Sequence, residues 1–283
     1  MQRLPSIQPR EEMALQVPTI AEIRASTEVL SPPDASATVV KVGEAFAVKF
    51  GHTVSLQEAE AFQFISSKTK VPVPEFYALL VELDTGISFI VMEYIDAKSL
   101  GDLWPSLAAP DKLEITNQLR AALEDLRSLE PPSYLGSVNR RPLTDGVFWT
   151  PEQNPATSDP FNNEEALNEG ILKRLAESEP KAHLTLLRTL ITATLRDHNI
   201  KFTHGDLQSK NILVKRTGPN DSGYEIKIID WEISGWYPEH WEFCNATIAV
   251  QFRPEWLDLV QHIMKVYIPE YLMLQTIRSL LFY

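Results

Sequence analysis

The chain has 283 residues, of which 44% are hydrophobic, enough for a packed core in one large domain or two lobes. Its formal net charge of −12 argues against a nucleic-acid interface, which needs a basic surface. The charge would either help to attract a cationic ligand or serve solubility over the whole surface, and we favour the second interpretation. The single cysteine, Cys244, excludes an internal disulfide framework and a multi-cysteine metal site.

The composition of the first residues predicts no export signal, and the whole sequence predicts no membrane span. Residues 1–27 contain charges and prolines instead of an apolar signal core, and no run approaches the roughly 18 apolar residues of a membrane span. We therefore expect a cytoplasmic protein without a membrane span. Residues 1–16 are expected to be weakly ordered.

The first part of the chain predicts a small antiparallel sheet with one main helix. Two β-rich runs flank a short turn that contains Gly43, which is typical of a hairpin. The helix that follows ends before the prolines of 71–74, because proline disfavours helical geometry. The expected elements are a short helix at 18–25, strands at 38–42 and 45–50, a helix at 55–67, and strands at 76–82 and 87–94.

From residue 96 onward helical spacing dominates, so we divide the chain into an N-terminal lobe, 1–95, and a larger, mainly helical lobe, 96–283. The interval 130–162 is rich in Pro, Asn and Gly, and a connection of that length is usually functional. Helices are expected at 99–107, 110–129, 163–178, 182–198 and twice within 255–282, with short strands near 201–203, 211–215 and 224–229.

The strongest chemical signal is Phe-Thr-His-Gly-Asp-Leu-Gln-Ser-Lys-Asn (202–211), followed by Ile-Ile-Asp-Trp-Glu (228–232). In this pattern Asp206 would accept the proton of an attacking hydroxyl group. Asn211 and Asp230 offer the hard oxygen ligands that Mg²⁺ prefers and leave coordination positions for the phosphates of ATP. Phosphoryl transfer depends mainly on positioning and charge stabilisation, which three such side chains can supply.

His-Gly-Asp-Leu-x-x-x-Asn with a downstream Ile-Asp-Trp-Glu resembles the aminoglycoside phosphotransferase and choline kinase branch of the protein-kinase-like fold. Ordinary protein kinases have Arg in place of Gly205 and Phe-Gly in place of Trp231-Glu232. The segment 235–242 resembles fungal-type members. This resemblance runs from about residue 37 to the end. It implies an α+β, two-lobed fold that transfers the γ-phosphoryl group of ATP to a hydroxyl of a small molecule, with Mg²⁺ as cofactor.

The resemblance also implies roles for residues of the first lobe. Lys49 would contact the α- and β-phosphates and pair with a helix glutamate, while Glu93 and Ile95 would offer backbone groups to the purine. Two acids compete for Lys49. Glu58 fits a capping box at the start of its helix, and Glu60 has the spacing of the family's pairing glutamate. We favour Glu60 for the ion pair and Glu58 for the cap.

Several residues near the motif admit two interpretations. His204 is expected to brace the loop and not to act as the base, and Lys210 could contact a phosphate or face solvent. Acids alternate with aromatic residues over 231–242. They could hold an amino group of the acceptor by ion pairing and cation–π contact, but we favour aromatics that pack the lobe and acids that cap or lie at the surface. With the 130–162 loop, these acids are our candidates for the acceptor pocket.

Two other functions are compatible with parts of the sequence. A protein kinase is disfavoured by Trp231-Glu232 and by the lack of an Ala-Pro-Glu segment after it. A catalytically silent scaffold is favoured by the lack of a Gly-x-Gly-x-x-Gly loop before Lys49. The joint presence of Lys49, Asp206, Asn211 and Asp230 opposes it, because a scaffold has no chemical need for all four.

Overall fold

A four-stranded antiparallel sheet forms the first part of the fold. Its strands are β1 (Thr38–Val42), β2 (Phe46–Gly51), β3 (Phe76–Val81) and β4 (Ser88–Glu93), in the order β1-β2-β4-β3. The predicted hairpin is β1–β2, and Gly43 in its turn has φ 60°, a conformation that glycine adopts without steric cost. This computed structural model describes residues 16–150, 154–218, 223–248 and 254–282, so the expected weak order of 1–16 falls almost entirely outside it.

Two helices cover opposite faces of this sheet. Helix α1 (Ile20–Ala25) buries Ile23 against Val48 and its neighbours. Helix α2 (Leu56–Lys68) packs on the other face through Phe62 and Ile65. Because side chains alternate along a strand, Lys49 points to the face opposite Val48, toward α2.

The rest of the chain is mainly helical, as expected. Its longest helix, α4, places Ile115, Leu119 and Leu126 in the core, each at most 1% exposed. The eight helices of the described part beyond β4 are α3 (Leu100–Leu103), α4 (Ala109–Ser128), α5 (Pro155–Ser158), α6 (Glu164–Leu175), α7 (Lys181–Thr194), α8 (Trp241–Ile248), α9 (Pro254–Ile263) and α10 (Ile268–Phe282).

Short strands frame the loop that carries the motif. They form two small sheets with the orders β5-β7-β8 and β6-β9. The motif loop, 204–211, connects β6 to β7. The second acidic segment, 229–234, contains Asp230 and Glu232 and connects β8 to β9, so the two segments lie at neighbouring strand ends. These strands are β5 (Lys98–Ser99), β6 (Ile200–Thr203), β7 (Ile212–Thr217), β8 (Gly223–Ile228) and β9 (Gly235–Pro238).

The structure differs from the sequence-based expectation at four short elements, β5, β9, α5 and α8. Strand β9 contains Gly and Pro, which have low strand propensity. Every residue of α8 is buried, so it lacks the one-sided apolar spacing that marks an amphipathic helix. The helix expected at 99–107 ends earlier, at Leu103, and continues as a 3₁₀ turn, Trp104–Ser106, that contains a proline.

The small sheet with α2 and the larger helical part together confirm the expected α+β architecture. The division at residue 95 remains a prediction. Among the described helices, none has the length and apolar character needed to cross a membrane.

Candidate active site

The loop between β6 and β7 is braced from inside by His204. Its Nε2 donates to the carbonyl of Ile229 at 3.0 Å, and its Nδ1 accepts from the backbone N–H of Asp206 at 3.2 Å. This pair of bonds requires the tautomer with the proton on Nε2. The side chain is fully buried, so His204 has the expected bracing role and connects the motif loop to the second acidic segment.

Gly205 is the one position of the loop where a side chain does not fit. It has φ 85°, and a Cβ there would lie 2.8 Å from Cγ2 of Ile233 and 3.0 Å from its carbonyl oxygen. A larger residue would therefore combine backbone strain with a steric clash.

Helix α8 holds the same loop from outside through a buried carboxylate. Glu242 is 1% exposed, and its two oxygens accept the backbone N–H groups of His204, at 2.5 Å, and Gly205, at 3.2 Å. Asn245 adds a bond from Nδ2 to the carbonyl of Gly205 at 2.9 Å. The loop backbone is thus fixed immediately before Asp206.

A second buried carboxylate holds α8 in place. Asp145, from the 130–162 interval, accepts hydrogen bonds from Trp241 Nε1 at 3.0 Å and Asn245 Nδ2 at 2.7 Å. Arg278 of α10 donates from Nη2 to Asp145 at 2.8 Å and to Asn245 Oδ1 at 2.8 Å. The partners of Glu242 and Asp145 could not be predicted from the sequence, because they are distant backbone and side-chain groups.

Asp206 lies within a set of hydrogen bonds from its own loop. Asn211 donates from Nδ2 to Asp206 Oδ2 at 3.0 Å and to the carbonyl oxygen of Asp206 at 2.9 Å. Gln208 Nε2 donates to Oδ1. Lys210 Nζ lies 3.4 Å from Oδ2, so the lysine that we expected at a phosphate or in solvent is an ion-pair partner of Asp206, although its side chain is 57% exposed.

Lys49 joins the sheet, α2 and the second acidic segment. Its Nζ lies 2.7 Å from Glu58 Oε1, 2.7 Å from Asp230 Oδ1 and 3.1 Å from Glu232 Oε2. The lysine is buried, with 8% of its surface exposed. Asp230 itself has φ 69°, a left-handed backbone conformation that is uncommon for residues other than glycine. Such strain persists where the surroundings impose it, often at functional sites.

Burial and the neighbouring charges shift the pKa values of Lys49 and Glu58. Burial by itself would lower the pKa of Lys49, but the carboxylates of Glu58, Asp230 and Glu232 outweigh it and raise that pKa above its ordinary value. Burial raises the pKa of Glu58 to about 7, against the opposing attraction of Lys49. The ammonium of Lys49 therefore stays charged.

The predicted pairing of Lys49 with Glu60 is wrong. Glu58 makes that pair, whereas Glu60 binds Arg141 of the 130–162 interval through both carboxylate oxygens, at 2.5 and 2.6 Å. Residues two apart on a helix face different directions, so only one of these acids can point at the sheet. The predicted cap is half right. The Ser55 hydroxyl accepts the N–H of Glu58 at 3.1 Å, but the Glu58 carboxylate bonds Lys49 instead of the helix start.

Glu93 and Ile95 lie where β4 ends and the chain leaves the sheet. The Glu93 carboxylate accepts the N–H of Glu75 at 3.1 Å and lies 3.6 Å from Lys227 Nζ. These contacts of the Glu93 side chain do not involve the backbone groups that we predict to bind the purine. The roles of Glu93 and Ile95 in nucleotide binding therefore remain predictions.

The aromatic residues of 231–242 are core residues, which confirms the favoured interpretation for them. Trp231, Trp236, Tyr237 and Trp241 are each at most 4% exposed. The acids between them divide in a way that we did not expect, since Glu232 contacts Lys49 and Glu242 holds the motif loop, and neither lies at the surface as a cap.

Comparison with known proteins identifies the family. A model of the family described as "Phosphotransferase enzyme family" matches residues 30–271. The chain belongs to this family. No match was found among curated proteins.

Several solved structures of aminoglycoside phosphotransferases share the fold. The streptomycin–ATP complex of APH(2")-IIa is 16% identical, with a TM-score of 0.59 over 94% of this chain and 90% of that one. A thermostable APH(4)-Ia mutant with ADP and hygromycin B is 10% identical, with a TM-score of 0.56 over 92% of this chain and 89% of that one. The GDP complex of aminoglycoside 2'-phosphotransferase-IIIa is 14% identical, with a TM-score of 0.54 over 89% of this chain and 83% of that one. At these identities the likeness concerns the fold, and it confirms the two-lobed kinase-like architecture.

We expect Glu58→Gln to lower kcat/KM for the nucleotide at least about 10-fold, equivalent to about 1.4 kcal/mol, because Lys49 loses its most buried charged partner. Glu60→Gln is the matched control and should stay within about 3-fold of the parent, since its partner Arg141 is partly exposed. Steady-state kinetics of both variants provide the measurement. A large loss in Glu60→Gln with an unaffected Glu58→Gln would contradict the observed pairing.

Glu242→Gln tests how the loop is held. A glutamine offers one acceptor oxygen where two N–H groups need one each, and the unmatched buried donor costs about 1–3 kcal/mol. We expect a lower Tm and a reduced kcat. Glu255→Gln, the same change at an exposed position, is the control and should change neither quantity. An unchanged kcat in Glu242→Gln would show that this carboxylate does not position the loop.

Proposed function

We propose that this chain catalyses the ATP- and Mg²⁺-dependent transfer of the γ-phosphoryl group to a hydroxyl group of a small molecule. The observation that carries the proposal is that hydrogen bonds connect the motif loop to the second acidic segment. The N–H of Ile229 donates to the carbonyl of Asn211 at 2.9 Å, and His204 bonds the carbonyl of Ile229. Hydrogen bonds therefore join the segment that carries Asp206 and Asn211 to the segment that carries Asp230.

The charge of the cluster fits a divalent cation. Three carboxylates surround the single ammonium of Lys49, which leaves an excess of negative charge. Asp230 offers carboxylate oxygens, and Asn211 has its amide nitrogen bonded to Asp206 and so offers its amide oxygen. Hard oxygen donors of this kind suit Mg²⁺, and we assign Asn211 and Asp230 as the residues that would hold it. When bound, the ion would offset the negative charge of the phosphates.

The side chains of this chain would share the remaining work. Asp206 would orient the acceptor hydroxyl and take its proton, with its own position set by Gln208 and Asn211. Lys49 would align the α- and β-phosphates, with Glu58 as the partner that keeps it in place. In this scheme phosphate oxygens replace Asp230 and Glu232 as partners of Lys49, since both acids are more exposed than Glu58.

We propose a chemical class for the acceptor and not a particular compound. It must present a hydroxyl group to Asp206, and the net charge of −12 favours acceptors that carry amino groups. The 130–162 interval reaches the site, because Thr144 Oγ1 donates to the carbonyl of Glu232 at 2.8 Å and Arg141 binds Glu60 of α2. It is our candidate wall of the acceptor pocket, although 151–153 lie outside the described residues. We place the reaction in the cytoplasm, and the unpaired thiol of Cys244 is compatible with its reducing conditions.

Asp206→Asn tests the catalytic assignment. We expect kcat to fall by about 10²–10⁴-fold, because the amide cannot accept the hydroxyl proton, while the Kd for ATP stays within a few-fold of the parent. Asp84→Asn, at an exposed turn, is the control. ADP release and calorimetric ATP binding are the two measurements, and a fully active Asp206→Asn variant would remove Asp206 from the mechanism.

Thermal unfolding with nucleotide tests the metal assignment. A ligand at about 100 times its Kd stabilises the folded chain by about 2.7 kcal/mol, so Mg²⁺ with ATP should raise Tm clearly. Asp230→Asn should abolish the magnesium-dependent part of the shift, and a parallel series with GTP would show which purine is preferred. If neither nucleotide changes Tm in the parent chain, the silent scaffold becomes the better account.

A further inference from the structure

A second cluster of ionisable side chains lies in the helical part, among residues that the proposed phosphoryl transfer does not use. It comprises Glu164 at the start of α6, His198 before β6, His240 before α8 and Glu270 in the first turn of α10. Each of Glu164, His198 and His240 has an oxygen or nitrogen that could bind a metal, and these three atoms lie within 4.8 Å of one another. Four separate parts of the fold therefore meet at this point.

His240 lacks the hydrogen bonds that its chemistry requires. It is 0% exposed, and among the described residues neither ring nitrogen has a partner. A neutral imidazole has one N–H donor and one nitrogen with a free electron pair, and here both are left without a protein partner. A buried polar group without a partner costs about 1–3 kcal/mol, and such cases point to an unseen ion or water.

His198 has a carboxylate next to each of its ring nitrogens. Its Nδ1 lies 2.7 Å from Glu164 Oε1, and its Nε2 lies 3.1 Å from Glu270 Oε1. A histidine that binds a metal through one nitrogen usually donates its other N–H to a carboxylate, which fixes the ring. Glu164 Oε2 also accepts the N–H of His198 at 3.0 Å, so this carboxylate is itself held in place.

We propose that Glu164, His198 and His240 form a structural zinc site, with Glu270 as the carboxylate that orients His198. Two imidazoles and a carboxylate are a donor set that Zn²⁺ accepts, with a fourth position left for water. One Zn²⁺ balances the two carboxylates, and it gives His240 the partner that it lacks. Zinc bonds of 2.0–2.1 Å separate tetrahedral ligands by about 3.4 Å, and the three candidate ligand atoms already lie within 4.8 Å of one another.

The site would stabilise the part of the fold that holds the motif loop. The ion would join α6, the entry to β6 and the start of α8, and α10 would be connected to it through the bond between Glu270 and His198. Helix α8 carries Glu242, which holds the loop before Asp206. Loss of the metal should therefore lower Tm first, with activity following only where the fold loosens.

Zinc content is the first test, on the full chain expressed with zinc in the medium. We expect about one zinc per chain by elemental mass spectrometry, and a fall in Tm of about 5 °C after removal with a chelator. Co²⁺ added to the metal-free protein should give the visible absorption of a four-coordinate ion. A parent chain that takes up no zinc and keeps its Tm in chelator would overturn the proposal and leave a buried water as the partner of His240.

Variants separate this site from the acids around Lys49, which could also attract a cation. His240→Ala and His198→Gln should lose the zinc and the cobalt absorption. Asp230→Asn should keep both. His183→Ala should also keep both, and it is a control because it removes the 2.6 Å contact between His183 of α7 and Glu179, away from the proposed site. Should His240→Ala fail to fold, His198→Gln carries the test. Zinc lost only in Asp230→Asn would place the ion at Lys49 and contradict the proposal.

Discussion

The buried ammonium of Lys49 is the interaction on which the arrangement of the candidate site depends. A charged amine cannot be buried without partners, and this one has three, from α2 and from the segment after β8. Because Lys49 belongs to β2, the ion pairs fix the sheet, its helix and the second acidic segment relative to one another. The four-stranded sheet, α2 and the segment after β8 are therefore positioned by one cluster of charges.

The motif loop is fixed by a different principle, the satisfaction of buried polar groups. Glu242 accepts two loop N–H groups, and Asp145 and Arg278 hold the helix that carries Glu242. In a buried environment each of these groups is expensive to leave unpaired, so the network favours one loop conformation. Asp206 thus takes its position from residues of the 130–162 interval, α8 and α10, all distant from it in sequence.

The sequence was most informative where chemistry and local geometry coincide. Asp206, Asn211 and Asp230 could be selected because their spacing follows from one loop and one strand, and α2 could be located by its apolar spacing and its prolines. The choice between Glu58 and Glu60 was wrong, because it depends on how α2 is rotated against the sheet, which the sequence does not show. The role of Glu242 could not be predicted either, since its partners are backbone groups of a distant loop and its helix is buried on all sides.

The most direct test of the account is a crystal structure of the chain with Mg²⁺ and a non-hydrolysable ATP analogue. We predict that Nζ of Lys49 keeps Glu58 within hydrogen-bonding distance and exchanges Asp230 and Glu232 for phosphate oxygens, with Asp206 facing the γ-phosphate. Phosphates bound away from Lys49, or a Lys49 that has exchanged Glu58 for Glu60, would contradict the central role given to this lysine.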